Sequence, residues 1–292
     1  MAEEPDQARS IEQLISLTGR VAVITGAARG IGHAVARRLG EAGASLVLGD
    51  RDMATPTSSL TRFGEQQRVE AIELEASDPD SQQHLASEAV RRMGRLDIWV
   101  NDAGIFPFVP IAEMTPDAWR RVIDVDLSGY FYGARAAAAA MSGPGVIINV
   151  SSIAGLRPDG PNLAHYTAAK AGVIGLTKAL AVELGRDGIR AIAIAPGFTT
   201  TEGIDEAREE MAGYVGGNPP DVMAARAPLG RVVTRRRARG ALRRQRPRPC
   251  NDGDHAHRGR RRRRVRMNKR DVGGVWLATR NQPELASSNA SP

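Results

Sequence analysis

The eight residues from Thr25 to Gly32, TGAARGIG, constrain the fold of this chain more than any other stretch. They follow directly on Val21 to Thr25 (VAVIT), a short β-branched run of the kind that a strand buried on both faces needs. They also open a segment, Ile31 to Ala42, in which Ile31, Val35 and Leu39 recur at helical spacing. Strand, glycine turn and helix in that order begin a βαβ unit. Its helix N-terminus offers free N–H groups and partial positive charge to an anion. Gly26 allows the tight turn, Gly30 lets the backbone approach a pyrophosphate, and Gly32 permits close helix packing. A glycine pattern alone is weak evidence, because tight turns need glycine without any ligand. The flanking strand and helix make this one a dinucleotide loop. Arg29 lies within it, where a phosphate contact competes with solvation.

The alternation continues down the chain. Strands are predicted at Ser45 to Gly49, Val69 to Leu74, Leu96 to Val100, Gly145 to Val150 and Ile189 to Ala195. Helices are predicted at Ser81 to Met93, Pro116 to Met141 and Ala164 to Leu184. Six strands separated by helices imply right-handed crossovers and a parallel sheet covered on both faces, a Rossmann-like doubly wound α/β fold. The 292 residues suffice for one substantial core. We read a polar leader at 1–16, a single domain at 17–230 and a distinct tail at 231–292. Within the domain, 198–228 is rich in Gly, Pro and charge and suits a mobile segment over the site.

Net charge is +7, which taken whole would point to nucleic acid. Its distribution argues otherwise: residues 1–230 carry 21 Lys+Arg against 29 Asp+Glu, and residues 231–292 carry 19 against 4. The basic character belongs to the tail. No apolar run approaches the ~20 residues that span a bilayer. The acidic start MAEEPDQARS has no basic-then-apolar leader pattern, so a cytoplasmic location is expected. The single Cys250 forms no internal disulfide, and its spacing to His255 and His257 matches no zinc pattern, so no metal is expected.

Asp50 closes the second strand, 18 residues past Gly32. A carboxylate there accepts both adenosine ribose hydroxyls and repels a 2′-phosphate, which favours NAD over NADP; Arg51 beside it partly offsets the repulsion. Further on, Tyr166 and Lys170 (YTAAK) are four apart on a predicted helix and share a face. A free tyrosine, with pKa ~10, is a poor acid–base group at neutral pH, and a nearby ammonium favours its ionised form. Such a pair can protonate a carbonyl oxygen or deprotonate an alcohol. A YxxxK match is common by chance. Here it follows a strand ending in Ser151 and Ser152, at the sheet edge where ligands bind in open α/β folds.

Five phrases occur in order: TGAARGIG, NDAG at Asn101 to Gly104, the Ser151–Ser152 pair, YTAAK, and Pro196–Gly197. Together they resemble the short-chain dehydrogenase/reductase family over Leu17 to Leu229. The resemblance implies Tyr166 as the acid–base residue, Lys170 as the group that binds the nicotinamide ribose, and Ser152 as the holder of the substrate oxygen. It implies that Asn101, Ala103 and Gly104 flank the adenosine side, that Pro196 and Gly197 approach the nicotinamide, and that Ile31 and Thr199 also lie along the cofactor. A secondary alcohol or ketone is the implied substrate, with 3-oxoacyl-carrier-protein reductases and sugar or steroid dehydrogenases in the same broad group. A homotetramer or homodimer built through the long helices is the implied assembly, given an intact C-terminus.

The chain departs from the family pattern at several places. Asp126 (VDLSG) replaces an Asn that helps hold a relay water, and Asp102 replaces the second Asn of the NxAG phrase. Glu75–Ala76 stands where an adenine-contacting Asp–Val is common, Ile192 replaces an Asn before the PG turn, and the gap from Ser152 to Tyr166 is one residue longer. After residue 231 the family's last helix and strand are missing, replaced by arginine runs too poor in apolar residues to fold. Permissible codons for Cys250 to Arg261, read one base later, spell Ala-Met-Thr-Gly-Thr-Thr-Leu-Ile-Ala-Asp-Gly-Gly, which resembles the missing strand. The tail therefore reads as a frame-shifted C-terminus that leaves the sheet edge bare. Two alternatives stand beside an active enzyme: a cofactor-binding but catalytically impaired homologue, and a nucleic-acid-associated protein acting through its tail.

Overall fold

The computed structural model of the chain describes residues 10–52, 67–158, 160–227, 230–234 and 276–278. Within the polar leader, α1 (Ile11–Ile15) is a single turn closed by a capping box between Ser10 and Gln13. β1 (Val21–Thr25) follows, buried at all five positions as its composition requires. α2 (Gly30–Glu41), β2 (Ser45–Asp50) and β3 (Val69–Glu73) come next. α3 (Pro79–Met93) starts where the Asp78 side chain accepts from the N–H groups of Asp80 and Ser81, and stops at Gly94 with φ of 82°. Beyond it lie β4 (Ile98–Asn101) and α4 (Pro116–Ile123), the latter capped by Thr115. α5 (Gly129–Ala140), β5 (Gly145–Val150), α6 (Ala164–Leu184) and β6 (Ile189–Ile194) complete the βα alternation.

The uninterrupted helix expected from Pro116 to Met141 is corrected in the middle: Asp124–Ser128 form a π-helical turn between α4 and α5. The wider turn bonds each N–H one residue further back, and it carries Asp126 inward to complete burial.

Strand order is β3-β2-β1-β4-β5-β6, all parallel. The order reverses direction between β1 and β4, and the crevice beyond their carboxyl ends is where such sheets bind ligands. Alternate residues of each strand serve opposite faces. Val21, Val23, Val47, Trp99 and Ile147 pack with Leu85 and Ala89 of α3 and Ala134 and Ala137 of α5. Ala22, Ile24, Leu46, Leu48 and Val100 pack with Ala36 of α2. Each fully buried Leu or Ile contributes ~1.5–3 kcal/mol relative to exposure. Asp97 joins the starts of β1 and β4, accepting from Arg20, Arg95 and the Val21 N–H.

The segment at 198–228 is more regular than its composition implied. β7 (Thr199–Thr200) leads to α7 (Glu202–Glu206), α8 (Arg208–Val215) and α9 (Pro219–Arg226), and β8 (Val233–Thr234) pairs with β7. At the far edge, β9 (Trp276–Ala278) pairs antiparallel with Ile192–Ile194 of β6. The bare edge expected there is thus corrected over three residues, since the free N–H and C=O groups of β6 find a backbone partner. The remaining tail readings, including Cys250, His255 and His257, lie outside the described residues. Among the described residues, no helix is long and apolar enough to cross a membrane, and no group of His, Cys, Asp and Glu could hold a metal ion.

Candidate active site

The glycine loop is shaped by backbone approach. Gly26 has φ of +70°, and a Cβ on it would lie 2.7 Å from the Ala103 nitrogen; a Cβ on Gly32 would lie 2.3 Å from the Gly26 oxygen. Neither position admits a side chain, so the loop stays bare where a phosphate can approach. Asp50 reaches back from the end of β2 and its Oδ2 accepts from the Ala28 N–H at 2.9 Å. One carboxylate thus braces the loop and also lines the crevice. Thr25 Oγ1 accepts from the N–H groups of Asp102 and Ala103, at 3.1 and 3.3 Å, and ties the loop after β4 to β1.

Two acids of α7 lie over this end. The Gly30 N–H donates to Glu202 Oε2 at 3.2 Å, and Arg29 pairs with Glu206. A carboxylate therefore already sits on the amide that opens α2, which shows that the position suits an anion.

At the other end, β5 and α6 bring Ser151, Ser152, Tyr166 and Lys170 together. Ser151 Oγ donates to the Lys170 carbonyl at 2.7 Å and pins the helix to the strand. Ser152 Oγ accepts from the Ala154 N–H at 3.1 Å. The buried ammonium of Lys170 donates to Tyr130 Oη at 2.8 Å and to the Val150 carbonyl at 3.2 Å, and lies 3.2 Å from Asp126 Oδ2. It stands 4.4 Å from the ring centre of Tyr130 and 5.7 Å from that of Tyr166. Tyr130 in turn donates to the Val150 carbonyl, and Asp126 Oδ1 accepts from the Ile105 N–H at 2.8 Å.

Burial alone would lower the Lys170 pKa, but Tyr130, Asp126 and Tyr166 more than offset it, and the group stays an ammonium. Burial raises Asp126 despite Lys170, and raises Tyr130 likewise. Asp102 is pushed up to about 7 by burial, against the pull of Lys170 and of the Gly32 N–H. Its carboxyl is thus close to half protonated at neutral pH. His165 is lowered by burial, and its Nδ1 accepts from the Tyr166 N–H at 2.8 Å, so a neutral imidazole supports the tyrosine's backbone.

One cavity of about 370 Å³ joins both ends. Gly26, Arg29, Gly30, Ile31, Asp50, Glu75, Ala103, Gly104, Asp126, Ser152, Tyr166, Lys170, Pro196, Gly197 and Thr199 all line it. Two residues expected there do not. Gly32 lies behind the loop as packing space. Asn101 is buried at 1% exposure, where it accepts from Trp99 Nε1 and donates to Asn149 Oδ1 and the Tyr130 carbonyl. Its side chain holds β4, β5 and α5 in register. Two residues were missed. Thr201 lines the cavity and caps α7; its only sequence signal is a Thr before an acidic run. Tyr130 carried only its spacing, four after Asp126.

Comparison with known proteins agrees with this geometry. Residues 20–212 match the family model described as short chain dehydrogenase. A cis-4-hydroxycyclohexanecarboxylate dehydrogenase of Sinomonas cyclohexanicum is 41% identical over 73% of this chain and 83% of its own length. A 3beta-hydroxysteroid dehydrogenase of Eggerthella lenta is 37% identical over 72% of this chain and 87% of its own. The crystal structure of a short-chain type dehydrogenase/reductase from Mycobacterium marinum superposes with a TM-score of 0.70 at 31% identity, covering 77% of this chain and 87% of that one.

Proposed function

The chain belongs to the short-chain dehydrogenase/reductase family, oxidoreductases acting on CH–OH groups with NAD(P), and on that footing we propose that it interconverts a secondary alcohol and a ketone with Tyr166 as the acid–base group. The observation that carries the reading is the joining, in one cavity, of the bare glycine loop and the Tyr166–Lys170 face of α6. The dinucleotide, when bound, supplies or accepts the hydride. Its pyrophosphate would be held by Gly26, Gly30 and the N-terminus of α2, its adenosine ribose by Asp50, and its nicotinamide end by Pro196, Gly197 and Thr199. Ser152 would hold the substrate oxygen by a hydrogen bond. Tyr166 would give that oxygen a proton during ketone reduction and take it back during alcohol oxidation. Lys170 would bind the nicotinamide ribose and favour the ionised phenol by its charge.

Asp50 supports NAD as the preferred dinucleotide, because a carboxylate at the β2 end opposes a 2′-phosphate. One feature favours a second reading, a dinucleotide binder of low activity: Tyr130, Val150 and Asp126 together engage the Lys170 ammonium. A single experiment separates the two. Tyr166→Phe should lower kcat on a ketone panel by roughly a thousandfold while leaving the Kd for NADH within about threefold. Wild-type protein that binds NADH yet turns over no ketone would establish the second reading instead.

A further inference from the structure

The cavity is divided by charge. Among the described residues, every charged side chain that lines it comes from the glycine loop, the ends of β2 and β3, the loop after β4, the 121–126 stretch, or Lys170. All of these belong to the dinucleotide end or to the Lys170 cluster. From 104–108, 152–158, 160–166 and 196–223, the segments that wall the remainder, no charged side chain faces the cavity among the described residues. Phe106, Phe108, Leu163, Met211, Tyr214 and Met223 face it instead.

The rings are arranged as a surface. Phe108 and Tyr214 stack with centroids 5.7 Å apart at 23°, so that a loop at the sheet edge and α8 build one flat wall. Phe106 meets the ring of Tyr166 edge-on at 6.3 Å and carries that wall to the reacting group. Met211, which also lines the cavity, is only 5% exposed. Lys170, 5.7 Å from the Tyr166 ring centre, is already opposed by Asp126. A carboxylate or phosphate on the substrate would lose its hydration there and gain no counter-ion.

We infer that the substrate is an uncharged, apolar, ring-bearing secondary alcohol or ketone, and that substrates with an anionic group on their skeleton are rejected. The inference rests on the oxidoreductase reading of the same site. It concerns the half of the cavity which that reading leaves unassigned.

The test is a matched set of ketones with NADH or NADPH. 2-Decalone and 4-tert-butylcyclohexanone are the neutral members; 4-oxocyclohexanecarboxylate and acetoacetyl-CoA are the anionic ones. The full chain should show kcat/KM for the neutral ring ketones higher by roughly a hundredfold than for 4-oxocyclohexanecarboxylate. Tyr214→Lys, which places a cation in the uncharged half at a partly exposed position, should shift that ratio toward the carboxylate by about tenfold or more. Equal turnover of neutral and anionic ring ketones would overturn the inference and leave the oxidoreductase reading standing. So would a Tyr214→Lys protein that reduces ketones with an unaltered ratio. Absence of turnover on every ketone, with NADH still bound, would overturn both.

Discussion

Asp126 and Tyr130 decide what Lys170 can do. An ammonium has three N–H groups, and Tyr130 Oη, the Val150 carbonyl and Asp126 Oδ2 surround it at 2.8 to 3.2 Å. Asp102, from the loop after β4, and Tyr166, on its own helix, are the other titratable groups whose fields reach it. In its ionised form, Asp126 offsets the field that Lys170 exerts on Tyr166. Two unit charges ~7 Å apart at an effective dielectric of 20 interact by about 2 kcal/mol. Asp126→Asn removes that opposition, so ionised Tyr166 should be favoured at lower pH. The midpoint of the pH–rate profile for alcohol oxidation should fall by about one unit. Tyr130→Phe frees one N–H of Lys170 without changing any charge, and should move the midpoint the same way by less. If both variants lose thermal stability while the midpoint stays put, the cluster acts as packing alone. Tyr166, Lys170 and Ser152 were legible because short phrases carry them. Tyr130 was not, since its role arises only where α5 crosses the end of β5. The bracing role of the Asn101 side chain was hidden for the same reason: its partners Trp99, Asn149 and Tyr130 lie on three different elements.

Among the elements, the strands of the parallel sheet were the most legible. A strand covered on both faces must be apolar throughout, and runs such as VAVIT admit few other readings. The π turn left no trace, because one extra residue in a helical turn changes neither composition nor the apolar period over so short a span. Three helices at 198–228 were hidden by Gly and Pro, which there cap and start them: Gly216 ends α8 with φ of 76°, and Pro219 opens α9. The first of these helices places Glu202 on the Gly30 N–H, the amide that a pyrophosphate would use. Binding of the dinucleotide must displace that carboxylate. Glu202→Gln should therefore tighten NADH binding by roughly fivefold in a fluorescence titration, since neutral amides compete less well for a helix N-terminus. An unchanged Kd would show that the contact and the cofactor do not compete.

At the scale of the molecule, α6 has two working sides. One side carries Tyr166 and Lys170 to the cavity and buries Val173, Ile174 and Thr177. The other exposes Ala168, Ala171, Gly175, Ala179 and Val182, small or apolar residues three or four apart, with Val182 82% exposed. An apolar stripe of that length on a surface helix is the usual mark of a packing partner. Val182→Asp should lower the molar mass seen by light scattering by at least one assembly step, with the far-ultraviolet circular dichroism unchanged. A wild-type protein that runs as a monomer would dispose of the idea. Nothing in the helical period identified this second side, because a helix apolar all round looks alike whether its cover is its own sheet or another subunit. With such a partner in place, one rod would serve as both anvil and joint. A partner pressed along its outer flank would hold straight the same turns that space the phenol from the ammonium, so that dilution into single subunits would slacken the chemistry before it loosened the fold.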